Sequence, residues 1–574
     1  MGRLSGICNF NGRPASPEEL SKLHGFAGPE DRLFAAGGIS TIERGGSTAV
    51  SQGPSALICH WEGRLDNRAA FAGLPGCGPE ASEAQLALAA PRREFPQHLS
   101  GLIGDFSLAI WDGEQRSLWL ATDYAGVRPL YFHRSSPPDG TRVVWSTSLE
   151  ALAKWTGQGD LDPDYLTEFL VRGAASGGRT PWKEISAVPP GCALCIRETG
   201  IQTEYLWRPP LDRETTLAGE AEYEEQFRVL FREAVRSRLN VRGMAVAELS
   251  GGLDSSSVVC MARDLIRAGD AAASGLTTLS YAEPGGTDEK FIQTVQDACA
   301  LPAYHLPLRD DSFASIESVP FGAPARWEMR NRAIRDWMSG IGASALLTGQ
   351  LGDLVMGSCF DGAEPVAEDL SHGRLGAALR ESLRWGRAQR QPVYRIFSGA
   401  ARLALRWQND PAADFGRTAL TPAALRRAVE LTEARIPEAH CNAAPGRRIR
   451  LASLLDMLQV RHLQSPEALR PAAWSHAFTH RPLVEFMMTI PVRVAYRPGE
   501  PRRLMRRALS GLLPQEIVRR RSKAAYTDVF RRALLPMVRE LLRSPAPLLL
   551  AERGLIDPQE TRTRFEHFTL GLEC

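Results

Sequence analysis

Apolar and polar positions alternate in short runs through the first 208 residues, at SALICHWEG (55–63), SLAIWDG (107–113), SLWLATD (117–123) and VVWSTS (143–148). A period of two, closed each time by turn-forming residues, predicts half-buried strands joined by tight turns. Alternation through Leu118-Trp119-Leu120-Ala121-Thr122 into Asp123-Tyr124-Ala125-Gly126 fits strands in a layered α+β domain with helices covering one face. Cys192 and Cys195 follow the turn Pro189-Pro190-Gly191 in an apolar run, with no second CxxC and no nearby histidine, which predicts a strand and not a zinc site. The pattern breaks at Trp207 to Asp212. Residues 219–239 then place Tyr223, Phe227, Leu230, Phe231, Val235 and Leu239 at helical spacing, so a domain boundary is expected at 209–218. Beyond it, the apolar run Met244 to Leu249 leads through a glycine turn into a helix. A strand at Leu276 to Tyr281, a helix from about Asp288 and a strand at Ala345 to Thr348 continue the alternation that builds parallel sheets. The rest reads as mostly helical; residues 362–450, rich in Arg, Ala and Leu, contain no evident chemistry, internal repeat or low-complexity segment.

At 574 residues the chain has room for two large domains, and 44% hydrophobic positions with 51 Gly and 39 Pro exclude a disordered or collagen-like chain. The 68 basic and 66 acidic side chains leave a net charge of +2, so no bulk charge recruits nucleic acid or a membrane surface, and neither partner is expected. No stretch approaches the roughly 18 consecutive apolar residues of a membrane span. The start MGRLSGICNFNGRPAS has no apolar export segment, and Gly6 breaks the myristoylation pattern that Gly2 suggests. Ten scattered cysteines are too sparse for a disulfide framework. Together these features predict a cytoplasmic protein.

The densest chemistry is Leu249-Ser250-Gly251-Gly252-Leu253-Asp254-Ser255-Ser256-Ser257, set between a strand and a helix. Two glycines let backbone approach a ligand closely, the hydroxyls of Ser250, Ser255 and Ser256 offer hydrogen bonds, and the helix N-terminus adds unpaired N–H groups. That combination predicts a pyrophosphate cradle, and an aspartate within it invites Mg2+ between phosphate oxygens. A serine-rich helix cap would explain the hydroxyls alone, but not the full SGGLDSS after a strand. No Walker pattern GxxxxGK[ST] occurs.

SGGLDSS resembles the ATP-binding loop of enzymes that adenylate a carboxylate and release pyrophosphate. Thr348-Gly349-Gln350-Leu351-Gly352-Asp353 resembles the TGxGxD segment of asparagine synthetases, and residues 481–523 are similar to that family's LVEF, KxLLRxA and LPxxIxxRxK run. The resemblance implies ATP and Mg2+ as cofactors, with Asp254 and Asp353 as metal ligands. It places Leu249, Ser250, Gly251, Gly252, Asp254, Ser255, Ser256, Ser280, Gly349 and Arg502 at the nucleotide, Gln350 at the substrate, and Lys523 at the amide-forming centre. Between Arg493 and Arg532 twelve Arg or Lys face three acidic residues. Leu504, Ala508, Leu509 and Leu512 share a helical face, while Arg502, Arg503, Arg506 and Arg507 occupy others; taken singly, Arg503, Arg519 and Arg520 read as solvated surface.

The amino-terminal half resembles the glutaminase domain of the same synthetases at Gly6-Ile7-Cys8, at 61–68, and at 104–112, 122–132 and 145–152. Such domains use an N-terminal cysteine. Here Met removal would expose Gly2, Cys8 lies inside the chain, and the glutamine contact reads Glu62-Gly63-Arg64, so glutamine hydrolysis is not expected. The expected architecture is a degenerate glutaminase-like sandwich of Ntn type over 1–208, then an α/β adenine nucleotide α-hydrolase-like (PP-loop) synthetase domain with a helical tail over 219–574. An inactive glutaminase-like domain beside an adenylating domain resembles the macrolactam-forming branch, and LDNR at 65–68 with RPGEPRRLMRRAL is most similar to lasso peptide cyclases. That branch implies a precursor peptide as substrate, with a leader peptidase and a leader-binding recognition protein as partners. The alternatives are an ammonia-dependent asparagine synthetase, a β-lactam synthetase-like enzyme, and a non-catalytic peptide-binding scaffold. The ExRxPFLD segment of the family reads Ala473 to His480 here, which leaves the general base open, with His476 and His480 as candidates.

Overall fold

The computed structural model describes residues 3–24, 31–51, 57–71, 73–74, 77–89, 94–138, 140–157, 159–173, 175, 177–282, 286–307, 328–357, 362–405, 418–433, 444–459, 463–470, 472–521, 527–544 and 548–572. The chain forms two compact units: one comprises the chain up to Arg208 with the described part of Leu458–Pro471, and the other the rest from Pro209 onward.

The first unit contains β1 (Arg3–Asn9), α1 (Pro17–His24), β2 (Arg32–Ala36), β3 (Ile39–Arg44), β4 (Ser47–Val50), β5 (Leu57–Leu65), α2 (Glu83–Ala87), β6 (Gly104–Asp112), β7 (Ser117–Thr122), β8 (Tyr131–Ser135), β9 (Arg142–Ser146), α3 (Leu149–Thr156), α4 (Pro163–Arg172), β10 (Ser186–Ala187), β11 (Cys192–Arg197) and β12 (Gly200–Tyr205). Two six-stranded sheets run in the orders β10-β8-β9-β1-β3-β2 and β12-β11-β7-β6-β5-β4. Because successive strand residues face opposite ways, Cys8 and Val143 enter the core between the sheets with Trp111, Leu120 and Ile196. Their neighbours Ile7 and Val144 pack outward with Leu20 of α1 and Leu152 of α3. On the other outer face, Leu108 and Trp61 pack against Ala84 and Leu86 of α2. The result is a helix–sheet–sheet–helix sandwich, with helices over both faces where the sequence pattern suggested one. Cys192 and Cys195 lie in β11, as expected. The long-range piece 463–470 joins this unit through Gln464, whose Oε1 accepts a hydrogen bond from the Tyr131 hydroxyl at 2.9 Å.

The second unit begins with α5 (Glu220–Arg238), β13 (Met244–Glu248), α6 (Leu253–Ala268), β14 (Gly275–Ala282), α7 (Glu289–Cys299), β15 (Ala303–Pro307), α8 (Glu328–Gly340), β16 (Ala343–Thr348) and α9 (Gly352–Val355). Then follow α10 (Ala363–Ser371), α11 (Leu375–Gln389) and α12 (Val393–Ala404), and a last strand, β17 (Ala473–His476). The sheet order is β15-β14-β13-β16-β17, with every pair parallel. Parallel pairs require crossovers, so the sheet is covered by helices and its central strands are apolar throughout. Phe227 and Phe231 of α5, Val258 and Val259 of α6 and Leu347 of β16 fill one core. Separately, α10, α11 and α12 enclose Val366, Trp385 and Ile396. Towards the carboxyl end the chain is helical at Arg503–Ala508, Thr527–Arg543 and Pro558–Leu570. Among the described residues no helix is long and apolar enough to cross a membrane.

In the first sheet, Gly6 lies opposite Trp145, and a Cβ there would sit 2.2 Å from the buried indole's Cζ2. Gly6→Ala overpacks this core and is expected to lower stability by about 1–3 kcal/mol, read as a lower urea midpoint.

Candidate functional site

The sheet order reverses at β13, whose neighbours are β14 on one side and β16 on the other. A crevice at the carboxyl ends of the strands, at this switch point, is where open α/β sheets bind ligands. Both motifs emerge there, SGGLDSS after β13 and TGQLGD across the end of β16. Gly251 turns with φ +68°, and Gly252 opens α6 without a side-chain cap, which leaves the first amides of the helix for a ligand. The Ser250 and Ser255 hydroxyls lie 3.0 Å apart, and Ser255 Oγ accepts the Ser250 amide proton at 3.1 Å. Ser256 Oγ and Ser280 Oγ are buried without a hydrogen-bond partner among the described residues. Buried hydroxyls left so are costly unless a ligand completes them. Leu249 is core, its amide bonded to Leu279 O at 2.8 Å.

Two glycines set the spacing between the motifs. A Cβ on Gly349 would lie 2.5 Å from the Ser255 amide nitrogen, and one on Gly352 would lie 2.5 Å from Cγ of Asp254. Backbone contact at Gly349 and Gly352 thus brings Asp254 and Asp353 to the same cation: Arg502 Nη1 pairs with Asp254 Oδ2 and lies 3.6 Å from Asp353 Oδ1. Burial pushes the Asp254 carboxyl up to about 6, against the pull of Arg502. Two residues here adopt left-handed backbone without being glycine, Leu351 (φ 70°) and Arg502 (φ 54°). Leu351 stands at the second glycine of the TGxGxD pattern. Such strain concentrates at functional sites.

These carboxylates fit a divalent cation. Asp254 Oδ1 is buried with no hydrogen-bond partner among the described residues, and oxygen ligands suit Mg2+. Asp254 and Asp353 would hold the ion, which would supply Lewis-acid charge at the phosphates. Among the described residues no group of three His, Cys, Asp or Glu is placed to hold a metal. Phosphate oxygens and water would therefore have to fill the other positions.

Several arginines depart from the sequence reading. Arg520, expected on the surface, is only 8% exposed. Its Nη1 donates to Gly251 O at 2.9 Å, its Nη2 pairs with Asp288 Oδ1, and its guanidinium lies 4.0 Å from the Phe291 ring centroid. It ties the cradle turn to the start of α7. Arg506 holds the same stretch from behind, donating to Pro501 O at 2.9 Å and to Arg520 O at 2.8 Å. Arg503 is buried as well, paired with Glu220 at 2.8 Å and Glu500 at 3.0 Å. Only Arg519 of the three is exposed. Helical periodicity could not reveal the burial of Arg503 and Arg520, because Glu220, Gly251 and Asp288 are remote in sequence.

His476 and His480 are both buried. His476 Nδ1 lies 2.7 Å from Thr348 Oγ1, and its carbonyl accepts from Arg238 Nε at 2.8 Å. His480 Nδ1 is 3.5 Å from Arg238 Nη1. Both pack around a buried guanidinium, and His476 stands at the end of β17 against Thr348, the first residue of TGQLGD. Gln350 is partly exposed beside Gly349, its amide donating to Thr348 Oγ1 at 3.3 Å. Lys523 and Gly2 lie outside the described residues. An acidic group the sequence reading passed over, Glu248, sits at the end of β13 and accepts from the Tyr281 hydroxyl at 2.6 Å.

In the first unit, Cys8 is wholly buried near the end of β1, paired with Ile39 and Val143, and burial pushes its thiol far up. Burial of this kind disfavours the thiolate, the form that attacks. Arg64, at the degenerate glutamine contact, is held by Asp66 at 2.6 Å and Asp105 at 2.7 Å.

A glutaminase-like sandwich followed by a parallel-sheet nucleotide cradle defines a two-part amide-forming class. The chain matches the asparagine synthase family over residues 226–570 and the glutamine amidotransferase domain over 80–207. It belongs to the asparagine synthase family, whose members are ATP-dependent amide-forming ligases. It is 28% identical over 170 residues to asparagine synthetase [glutamine-hydrolyzing] 3 of Bacillus subtilis, covering 29% of this chain and 26% of that one. Against the amidase chry2 of Gibberella zeae it is 25% identical over 268 residues, 44% of this chain and 37% of the relative. The matched stretches thus span 26% and 37% of these relatives. A glutamine phosphoribosylpyrophosphate amidotransferase from B. subtilis, complexed with ADP and GMP, aligns at 12% identity over 62% of this chain and 93% of its own, with a TM-score of 0.26.

Breaking one side of a buried ion pair costs about 3–5 kcal/mol. Arg520→Ala should therefore lower the thermal midpoint and weaken ATP-dependent pyrophosphate release, whereas exposed Arg519→Ala should change stability by less than about 1 kcal/mol. Protonation of Asp254 removes the charge a cation needs, so affinity for Mg2+ with ATP should fall as pH drops below about 6 and level off above it, measured by titration calorimetry.

Proposed function

We propose that this protein is an ATP-dependent lasso peptide cyclase. It would adenylate the side-chain carboxylate of an Asp or Glu in a precursor peptide, and the peptide's own α-amine would attack to close a macrolactam, releasing AMP and pyrophosphate. The observation that carries the reading is the pairing of a cradle built for pyrophosphate with a glutaminase-like unit whose Cys8 is sealed in a strand. With the Cys8 thiol sealed away, this reading takes the attacking amine from the substrate itself, and a peptide terminus is such an amine.

On this reading the chain's residues have separable tasks. The amides at the start of α6, with Ser250 and Ser255, hold the departing pyrophosphate, and Asp254 and Asp353 hold Mg2+ against it. Arg502 offsets charge on the same phosphates as the bond to AMP forms. Lys523 stabilises the tetrahedral oxyanion of amide formation, and Gln350 contacts the substrate. Rate gain comes largely from holding the peptide's ends in near-attack geometry. A leader peptidase and a leader-binding protein would supply the trimmed peptide.

The test supplies the purified protein with ATP, Mg2+ and a linear peptide that has a free α-amine and an internal Asp or Glu, and follows loss of one water by mass spectrometry. Cyclic product is expected, with no glutamate formed from added glutamine. Lys523→Ala should slow cyclisation by a factor on the order of 100–1000 while ATP affinity changes little, with Arg519→Ala as the neutral control. Conversion of free aspartate and ammonia to asparagine, with the peptide untouched, would overturn the reading.

A further inference from the structure

A cleft of about 1350 Å³ opens in the second unit between α10, α11 and the stretch from Pro491 to Arg507. Eight arginines and five carboxylates line it. Much of that charge is already matched: Arg374 pairs with Asp369, Arg384 with Glu381, and Arg497 and Arg503 with Glu220. Arg380, Arg387 and Arg493 have no acidic partner among the described residues, so three cations face the cleft uncompensated. Arg380, Arg384 and Arg387 recur at helical spacing and form one face of α11.

The adjoining face of α11 is apolar and exposed. Leu375, Leu379 and Leu383 recur every four residues and are 66%, 53% and 41% exposed. Single exposed leucines are ordinary, but a stripe of three along a charged cleft has the composition of an interface. Its helix already buries Ala378, Ser382 and Trp385 on the opposite side, so the stripe is not needed for the local core.

We propose that this cleft and stripe together dock an acidic amphipathic peptide segment, with its carboxylates against Arg380, Arg387 and Arg493 and its apolar side chains on Leu379 and Leu383. Charge complementarity selects this occupant. A nucleic-acid strand presents phosphate at every step and would meet the lining carboxylates, Glu368 and Glu381 among them, whereas a peptide can place acidic, basic and apolar side chains to suit. The proposal is independent of the cyclase reading, since it concerns binding and not turnover. The groove nevertheless adjoins the cradle through one peptide bond: Arg503 lines it, while Arg502 reaches Asp254.

The full chain is titrated, with fluorescence anisotropy as readout, into a short labelled helical peptide carrying Glu and Leu on one face. The same peptide with Gln for Glu and a single-stranded oligonucleotide serve as comparisons. Binding of the Glu/Leu peptide should exceed that of its Gln form and weaken with salt. It should drop about tenfold in the Arg380→Glu/Arg387→Glu/Arg493→Glu variant and also fall in Leu379→Ser/Leu383→Ser. Both variants should keep the parent's thermal midpoint and ATP-dependent pyrophosphate release, because none of these side chains belongs to a buried core or the cradle. Equal binding of the Gln peptide, undiminished binding by the triple-arginine variant, or tighter oligonucleotide binding lost in that variant would each overturn the proposal.

Discussion

One electrostatic constraint organises the second unit: two carboxylates, buried Asp254 and part-exposed Asp353, converge where the sheet order reverses, and their charge has to be offset. A carboxylate taken out of water is unfavourable unless compensated. Arg502 meets that need in this structure, at the expense of a left-handed backbone. Much of the local architecture follows from bringing the carboxylates together. Gly349 and Gly352 lie where any side chain would strike α6 or Asp254, and Gly251 lies where one would strike Phe291 and Ile292 of α7. Arg520, pinned by Asp288, keeps the turn pressed against that helix. The cradle is thus set by contacts among four separate stretches of chain, with its hydroxyls and helix amides left over to meet phosphate.

The first unit is held together without calling on a nucleophile. Its two sheets and covering helices are fully packed, and Asp123 still organises its loop by accepting the amides of Phe106, Ala125, Val127 and Arg128. None of these interactions depends on a nucleophile. A sandwich of this kind can lose its chemistry and keep its stability, because the groups that hold it together are not those that would act on glutamine.

What could be read from sequence tracks the distance over which each interaction acts. SGGLDSS and TGQLGD are local, and their strand–turn–helix settings emerge where apolar runs and glycines predicted them. The strands β15 and β17 are short and carry no strong period; Ala473 to His476 was read only as a departure from a family segment, yet it closes the sheet beside β16. The arginines were the hardest to place. A basic residue on a helix reads as solvated unless its partner is known, and Asp288 lies 232 positions from Arg520. His476 and His480 were open as catalytic candidates for the same reason, since the Arg238 that engages both comes from the far end of α5.

The hydrogen bond between Tyr131 and Gln464 joins positions 333 residues apart. Synthesis proceeds at about 5–20 residues per second. Roughly 20–70 s would then separate the appearance of the two partners at the ribosome. The amino-terminal sandwich must therefore wait, nearly finished, with a patch meant for 463–470 uncovered, while most of the following unit is being made. A sandwich made without 463–470 would leave the Tyr131 hydroxyl to water in place of Gln464.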